Sequence, residues 1–479
     1  MPLIDIFKIS CIITSRCIFF CTGEGERMVS LKSRNDVDMT VGSIPKLLIE
    51  FALPLLLGNI FQQLYNTVDT WVVGNFVSNE AFSAVGTVGP IINTLIGFFT
   101  GLSSGAGVVI SQYFGAKKFD KVQKAVHTSF LMALILCVVF TAVGIFFTPL
   151  MLRMMKTPPE VFPQSQKYLF IYFAGVSGLL IYNIGAGILR AVGDSKRPFY
   201  FLVVSAVTNI VLDLYFVIKL HMGVEGVALA TIIAQFLSAA LTVYTLLRTN
   251  SCVRLAIIEL KISKEILGKI LKVGLPAAIQ LAVTAFSNIF VQSYVNFFGA
   301  DCMSGWTAYA KMDQLLFLPM QSVALASTTF VGQNLGMGNI ERSKKGVRIA
   351  ALVSMLSTAL MIIPVVIFAP ELTAFFNAKT EVIGYGTMLL RYISPFYILC
   401  CINQVYAAAL RGAGNSRAPM IIMLSSFVLF RQCYLFIMSH FIINEIIPIA
   451  MGYPAGWLVC SAATLIYYKK TDISKHRLT

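Results

Sequence analysis

The chain has 479 residues, of which 57% are hydrophobic and 12% charged, with a mean hydropathy of +0.78. An average soluble domain carries about 25% charge, so this composition excludes an ordinary soluble protein and calls for a bilayer. The formal charge of +15 does not signal a nucleic-acid partner, because Lys and Arg gather in short links between apolar runs and report topology instead.

Residues 1–45 contain "ISCIITSRCIFFC", an apolar stretch broken by Arg16 and too short to span. It is neither a transmembrane helix nor a clean signal peptide, and residues 1–45 are read as a disordered cytoplasmic tail, with Met28 or Met39 as alternative starts. Twelve spans follow, at about 48–74, 82–113, 125–149, 168–189, 199–219, 224–247, 270–297, 305–332, 349–369, 385–409, 419–439 and 446–468. Runs of this length without period-2 alternation are helices, not barrel strands. The fold class is therefore an all-α integral membrane protein.

Lys and Arg alternate across the links. The links 115–124, 190–197, 248–272, 341–348 and 411–417 and the tail 469–479 hold 23, and the opposite links hold 5. The first set and both termini are thus expected in the cytoplasm of a cell in whose plasma membrane the chain resides.

"LRAVGDSKRP" at 189–198 returns as "LRGAGNSRAP" at 410–419, "FALP" at 51–54 as "VGLP" at 273–276, and "FGAKKFDKVQKAV" at 114–126 as "LGMGNIERSKKGV" at 335–347. Three landmarks in one order, about 221 residues apart, indicate duplication. Each copy holds an even number of spans, so the halves share polarity and relate by an axis along the membrane normal. The chain divides into an N-lobe at 46–247, a connector at 248–269, a C-lobe at 270–468 and a tail at 469–479. The connector reads as amphipathic and surface-lying. In the duplicated stretch, Gly supplies backbone freedom, the Asx and Ser side chains cap the next helix, and Pro198 or Pro419 opens it.

Polar stripes mark the N-lobe spans. Asn59, Gln62, Asn66 and Asp69 share one face of span 1, Ser205, Asn209 and Asp213 one face of span 5, and Thr231 and Gln235 one face of span 6. An intramembrane carboxylate costs about 2.5–3.5 kcal/mol even on the lenient insertion scale, so Asp69 and Asp213 need a use or a partner. Two adjacent carboxyls can hold and release a proton, and with Asn and Thr oxygens they also suit Na⁺. Gln62, Tyr65, Asn66, Asn183 and Gln235 are read as lining a substrate cavity. Pro54 removes a helix hydrogen bond and permits bending. Gly97, Gly101 and Gly105 form two overlapping GxxxG steps that suit close helix packing.

Together, "LRAVGDSKRP", the "VGQNLGMGN" segment at 331–339, the twelve spans and the six-plus-six repeat resemble the multidrug and toxic compound extrusion (MATE) transporters over roughly residues 45–470. The resemblance implies a V-shaped transporter exporting organic, often cationic, compounds in exchange for H⁺ or Na⁺. It maps Asp69, Asn209, Asp213 and Thr231 onto the family's N-lobe cation site and Pro54 onto its first-span kink.

The C-terminal copy departs from its twin. Val291 or Phe290 stands opposite Asp69, Phe430 opposite Asn209 and Tyr434 opposite Asp213. That lobe instead carries Lys311, Asp313, Arg391 and Arg431, read as an interhelical charge network. No GxxxxGK[ST] segment, CxxC pair or clustered His, Cys or Ser-Lys arrangement occurs. The expectation is a monomeric secondary antiporter without cofactor, its partners being the bilayer, H⁺ or Na⁺ and a small cationic substrate. A lipid-linked oligosaccharide flippase is the nearest rival, and a membrane-embedded enzyme a distant one.

Overall fold

The computed structural model describes residues 36–155 and 157–479. The described chain is helical almost throughout. Eleven helices are long and apolar enough to cross a bilayer, and Phe162–Ala174 with Val176–Ala191, bent by 46° at Gly175, adds a twelfth. In chain order the spans are Ile44–Phe76, Asn79–Gly115, Phe119–Met154, the bent pair, Lys196–Lys219, Val224–Arg248, Lys264–Asn296, Ala300–Met337, Ile340–Ile367, Thr380–Gly412, Arg417–Ile442 and Ile446–Lys470. We number them 1 to 12. Each apolar run becomes a helix because a bilayer offers no partner for its amides and carbonyls, which must pair within the segment.

Two apolar clusters give the two lobes their interiors. One gathers Phe99, Phe130, Tyr172, Phe173 and Leu189 from spans 2, 3 and 4, and the other Trp306, Tyr309, Leu390, Tyr397 and Trp457 from spans 8, 10 and 12. The beginnings of spans 1 and 7 are exchanged between them. Leu48, Phe51 and Leu55 of span 1 pack with Phe330, Val331 and Val347 of the second half, while Ile266, Ile270 and Val273 of span 7 join the first half's cluster.

In lipid, helices associate through close approach and small residues, not through hydrophobic burial. Gly97, Gly101 and Gly105 serve that purpose across the lobes. A Cβ on Gly101 would strike the backbone of Ala277 and Ala278, and one on Gly105 would lie 2.5 Å from Gly274 Cα. The partner of the GxxxG steps is therefore span 7. Further along span 2, Gly115 lies against the Gln333 carbonyl and Gly336 against the Gln112 carbonyl. Since Gln112 and Gln333, like Gly115 and Gly336, are 221 residues apart, this contact is reciprocal, as an axis between the lobes requires.

This joint lies at the end of the molecule that holds both described chain ends. The reading of 1–45 as disordered does not hold for residues 36–45; residues 1–35 lie outside the described residues. Met39 is fully buried, Val37 N donates to Val192 O at 3.0 Å, and Met39 N donates to Gln333 Oε1 at 2.8 Å. The tail after Lys470 also packs: Leu478 N donates to Gln112 Oε1 at 2.7 Å, and Arg477 Nη2 to Gly336 O at 2.5 Å.

Two local expectations are corrected. The connector is not an amphipathic helix; span 7 begins at Lys264, and residues 249–263 are irregular apart from one 3₁₀ turn, Ile257–Glu259. Its Ser251, Cys252, Val253 and Leu255 are buried, while Ile257, Ile258 and Ile262 are exposed, so the first half of this short chain packs inward and the second presents an apolar surface. In the duplicated corners Gly193 (φ 89°) and Gly414 (φ 100°) take the left-handed backbone. The Asx residue alone caps the next helix: Asp194 Oδ1 accepts from Arg197 N at 3.1 Å and Asn415 Oδ1 from Ala418 N at 3.2 Å. Ser195 and Ser416 are buried and make no cap bond.

Candidate functional site

The polar stripes of spans 1, 5 and 6 meet inside the N-lobe. Asp69, Asn209, Asp213 and Thr231 are 6%, 1%, 0% and 7% exposed. Thr231 Oγ1 donates to Asp69 Oδ2 at 3.4 Å and to Val227 O at 3.0 Å. The Asp213 carboxyl meets that of Asp69, with Asn209 beside them. Both Asp213 oxygens, Asp69 Oδ1 and both Asn209 amide atoms are enclosed without a full protein hydrogen bond. Buried polar atoms are normally paired, and no Lys or Arg forms an ion pair with either carboxylate among the described residues.

That arrangement has a definite chemistry. Two carboxylates side by side in an apolar interior repel, and each is costly to keep ionised. A shared proton relieves the repulsion, and so does a hard cation held by the carboxyl, amide and hydroxyl oxygens. Either occupant would fill the vacant hydrogen-bonding capacity of Asp213 and Asn209.

Sequence reasoning missed two tyrosines beside the site. Tyr168 and Tyr172, one turn apart on the first half of span 4, are 5% and 2% exposed and stack with ring centroids 6.4 Å apart. Tyr168 lies beside the acidic pair, and the Tyr172 hydroxyl is enclosed without a partner. Ser165, Tyr168 and Tyr172 repeat at intervals of three and four, the signal that could have found them.

The candidate cavity residues divide. Tyr65 stands near Asp69 and Gln62, and Gln235 is buried with its Oε1 unpaired. Asn66 is exposed. Asn183 is bound within its surroundings, its Nδ2 donating to Leu179 O at 2.8 Å and its carbonyl accepting from Ser103 Oγ at 2.5 Å. Pro54 lies within an unbroken span 1. One turn on, Gly58 leaves room for Leu202 and Phe199 of span 5, 3.2 and 3.6 Å from where its Cβ would be.

The four C-lobe charges are not joined into a network. Asp313 accepts from the Tyr397 hydroxyl and, at 3.5 Å, from Tyr309. Lys311 is exposed. Arg391 is exposed and its Nε reaches Val366 O at 3.5 Å. Arg431 is buried and bonded to Ser287 and Asn288. No ion pair links any two of the four among the described residues.

A family model, MatE, matches residues 54–215 and again 276–435. The chain belongs to the MatE family. One model matching twice, about 220 residues apart, restates the parallel repeat. A probable multidrug resistance protein, YpnP, of Bacillus subtilis is 28% identical over 90% of this chain and 96% of its own. Another, NorM of Thermotoga maritima, is 27% identical over 89% and 93%. The fold superposes on an outward-facing multidrug resistance MATE family transporter of the MOP superfamily, with a TM-score of 0.87 and 24% identity over 94% of this chain and 100% of that one. The MatE protein described here is accordingly a multi-pass membrane transporter, not an enzyme. Members of its family work without a cofactor.

Proposed function

We propose that this transporter is a secondary antiporter that exports small organic cations from the cytoplasm across the plasma membrane, driven by H⁺ or Na⁺ entering through the N-lobe. The observation that carries the reading is the buried, unneutralised pair Asp69 and Asp213 with the open valences of Asn209. Multidrug resistance names among the relatives support the substrate class. The excess of Lys and Arg at the end holding residues 36–43 and 471–479 supports placing that end in the cytoplasm. The functional units are an N-lobe at 46–247 and a C-lobe at 270–468, with residues 248–269 between them and the chain acting as a monomer.

Exchange follows from competition for one charge. A cation or proton on the acidic pair removes the negative field that a cationic substrate needs, so the two bind at each other's expense. Gln62, Tyr65, Asn66, Asn183 and Gln235 line the substrate's approach, and bending at Pro54 changes the shape of that approach.

The test is export of a fluorescent organic cation from proteoliposomes under an imposed H⁺ or Na⁺ gradient, normalised to inserted protein. Asp69→Asn and Asp213→Asn should each lower gradient-driven export by at least about tenfold, the scale of a coupling free energy of 1–3 kcal/mol. Asp313→Asn should do less. Near-normal rates in both N-lobe variants under either ion would overturn the coupling site.

A further inference from the structure

The C-lobe keeps a buried cation where the N-lobe keeps its acids. Positions 430 and 434 correspond to Asn209 and Asp213 through the 221-residue offset, and Arg431 lies between them. Arg431 is 3% exposed. Its Nη2 donates to Ser287 Oγ at 3.0 Å and to Asn288 Oδ1 at 2.9 Å, and its guanidinium lies 4.7 Å from the Tyr453 ring centre. Nε is enclosed without a partner. All these partners are neutral. The lobe's intramembrane acid, Asp313, is engaged by Tyr309 and Tyr397, and the rings of Trp306, Tyr453 and Trp457 pack against Tyr309 and one another.

Neutral donors and a ring soften the cost of burying a guanidinium but do not cancel its charge. The face on which the group sits supplies the route for a counter-charge. Span 7 turns Gly274, Ala278 and Leu281 toward span 2 of the other lobe. By helical period the same face continues through Ala285 to Asn288 and Gln292, of which Asn288 is exposed and Gln292 half-buried. Asn288 is therefore exposed on the face that span 7 turns toward the N-lobe, and Arg431 holds it from behind.

We propose that Arg431, with Ser287 and Asn288, is an anion subsite in the cleft wall that receives a carboxylate or phosphate group. The inference rests on the transport reading above and narrows it: favoured substrates carry an acidic group for the C-lobe as well as a cationic centre for the N-lobe. When the anion arrives, Asn288 rotates away and the guanidinium offers its planar fork, including the idle Nε, to two oxygens.

The test uses two dyes with the same ring, rhodamine 19, which carries a free carboxylate, and its ethyl ester rhodamine 6G, which does not. Binding to the purified full-length transporter in neutral-lipid nanodiscs is read by fluorescence polarisation. The expected result is that Arg431→Gln weakens the carboxylate dye by about tenfold or more while the ester changes less than twofold, and that Arg431→Lys restores part of the difference. Equal loss of both dyes would show a structural role and overturn the subsite, and so would unchanged binding of both. Binding of the ester with no measurable binding of the acid to the unmodified protein would overturn the subsite and leave cation transport standing; failure of both dyes would count against both readings. Repeating the titration in phosphatidylglycerol nanodiscs separates the source of the anion. A preference that persists assigns the site to substrate, and one abolished by acidic lipid assigns it to a headgroup.

Discussion

Gln112 and Gln333, 221 residues apart in the chain, make the same two hydrogen bonds from opposite lobes. Gln112 Nε2 donates to Gly412 O and Gln333 Nε2 to Ala191 O, both at 2.9 Å. Their Oε1 atoms accept from Leu478 N and Met39 N. Gly412 and Ala191 lie in the duplicated Leu-Arg stretches, so each copy of that stretch is an acceptor for a buried glutamine on span 8 or span 2, and the joint at the basic end is sewn twice.

Breaking the stitches should release that end. Gln112→Ala and Gln333→Ala each delete two buried hydrogen bonds, worth about 1 kcal/mol apiece with a further penalty for the carbonyl and amide left behind. Spin labels at the exposed positions 117 and 344, on the two lobes, should show a longer-distance population by electron double resonance in the variants. An unchanged distance distribution would contradict this role.

Enlarging the glycines should have the same direction of effect by a different cause. Gly105→Leu places a side chain where Gly274 Cα is 2.5 Å from the Cβ position. Overpacking of this sort costs about 1–3 kcal/mol, here borne by the conformer in which spans 2 and 7 touch. The same distance measurement should show an open basic end, while the far less crowded Gly86, with no neighbour within 4 Å, should tolerate Ala.

Tyr168 should matter to the ion and little to the fold. Tyr168→Phe removes a buried hydroxyl beside the acidic pair and keeps the ring stacked on Tyr172. We expect a several-fold rise in the ion concentration needed for half-maximal export, with thermal stability changed by about 1 kcal/mol or less. Loss of stability with unchanged ion dependence would place Tyr168 outside the site.

The tail should loosen in acid. His476 lies below its ordinary pKa, chiefly because docking takes the ring out of water, and Lys272 adds to the effect. A folded-state pKa below the free value means the docked tail binds fewer protons, so docking is fully present above about pH 6.5 and weakens as pH falls through the free value. Asp472, held ionised by Ser474 hydrogen bonds, acts in the same direction at lower pH. The hydrogen-exchange protection factors of residues 473–479, which remove the intrinsic pH dependence of exchange, should fall between about pH 7 and pH 5.5, and His476→Gln should flatten that dependence.

The sequence made the spans legible because twenty-odd apolar residues admit one solution in a bilayer. It made Asp69, Asn209, Asp213 and Thr231 legible because helical period places each on a polar face. Tyr168 escaped because a tyrosine in an apolar span looks like packing until the fold sets it beside the acidic pair. The packing of residues 36–45 escaped too, since Met39 and Val37 dock through backbone amides, which carry no side-chain signal. The C-lobe charges escaped for a third reason: Asp313 takes Tyr397 and Tyr309 as partners and Arg431 takes Ser287 and Asn288, and only tertiary placement brings those neutral partners to them.

The two strands that feed the glutamines are unlike in every other respect. Met39 arrives from before span 1 and Leu478 from after span 12, and they share no sequence, yet each presents one main-chain N–H to one amide oxygen. The hydrogen bonds recognise main chain and leave side-chain identity to the packing alone, where Met39 and Leu478 are each buried in an apolar cluster, so either flanking segment can change sequence as long as it keeps an apolar residue at that seat. By the same logic it is open to competition: an extended peptide able to reach the seat could displace the resident segment, and any group attached just after Leu478 bears on the closure of the transporter.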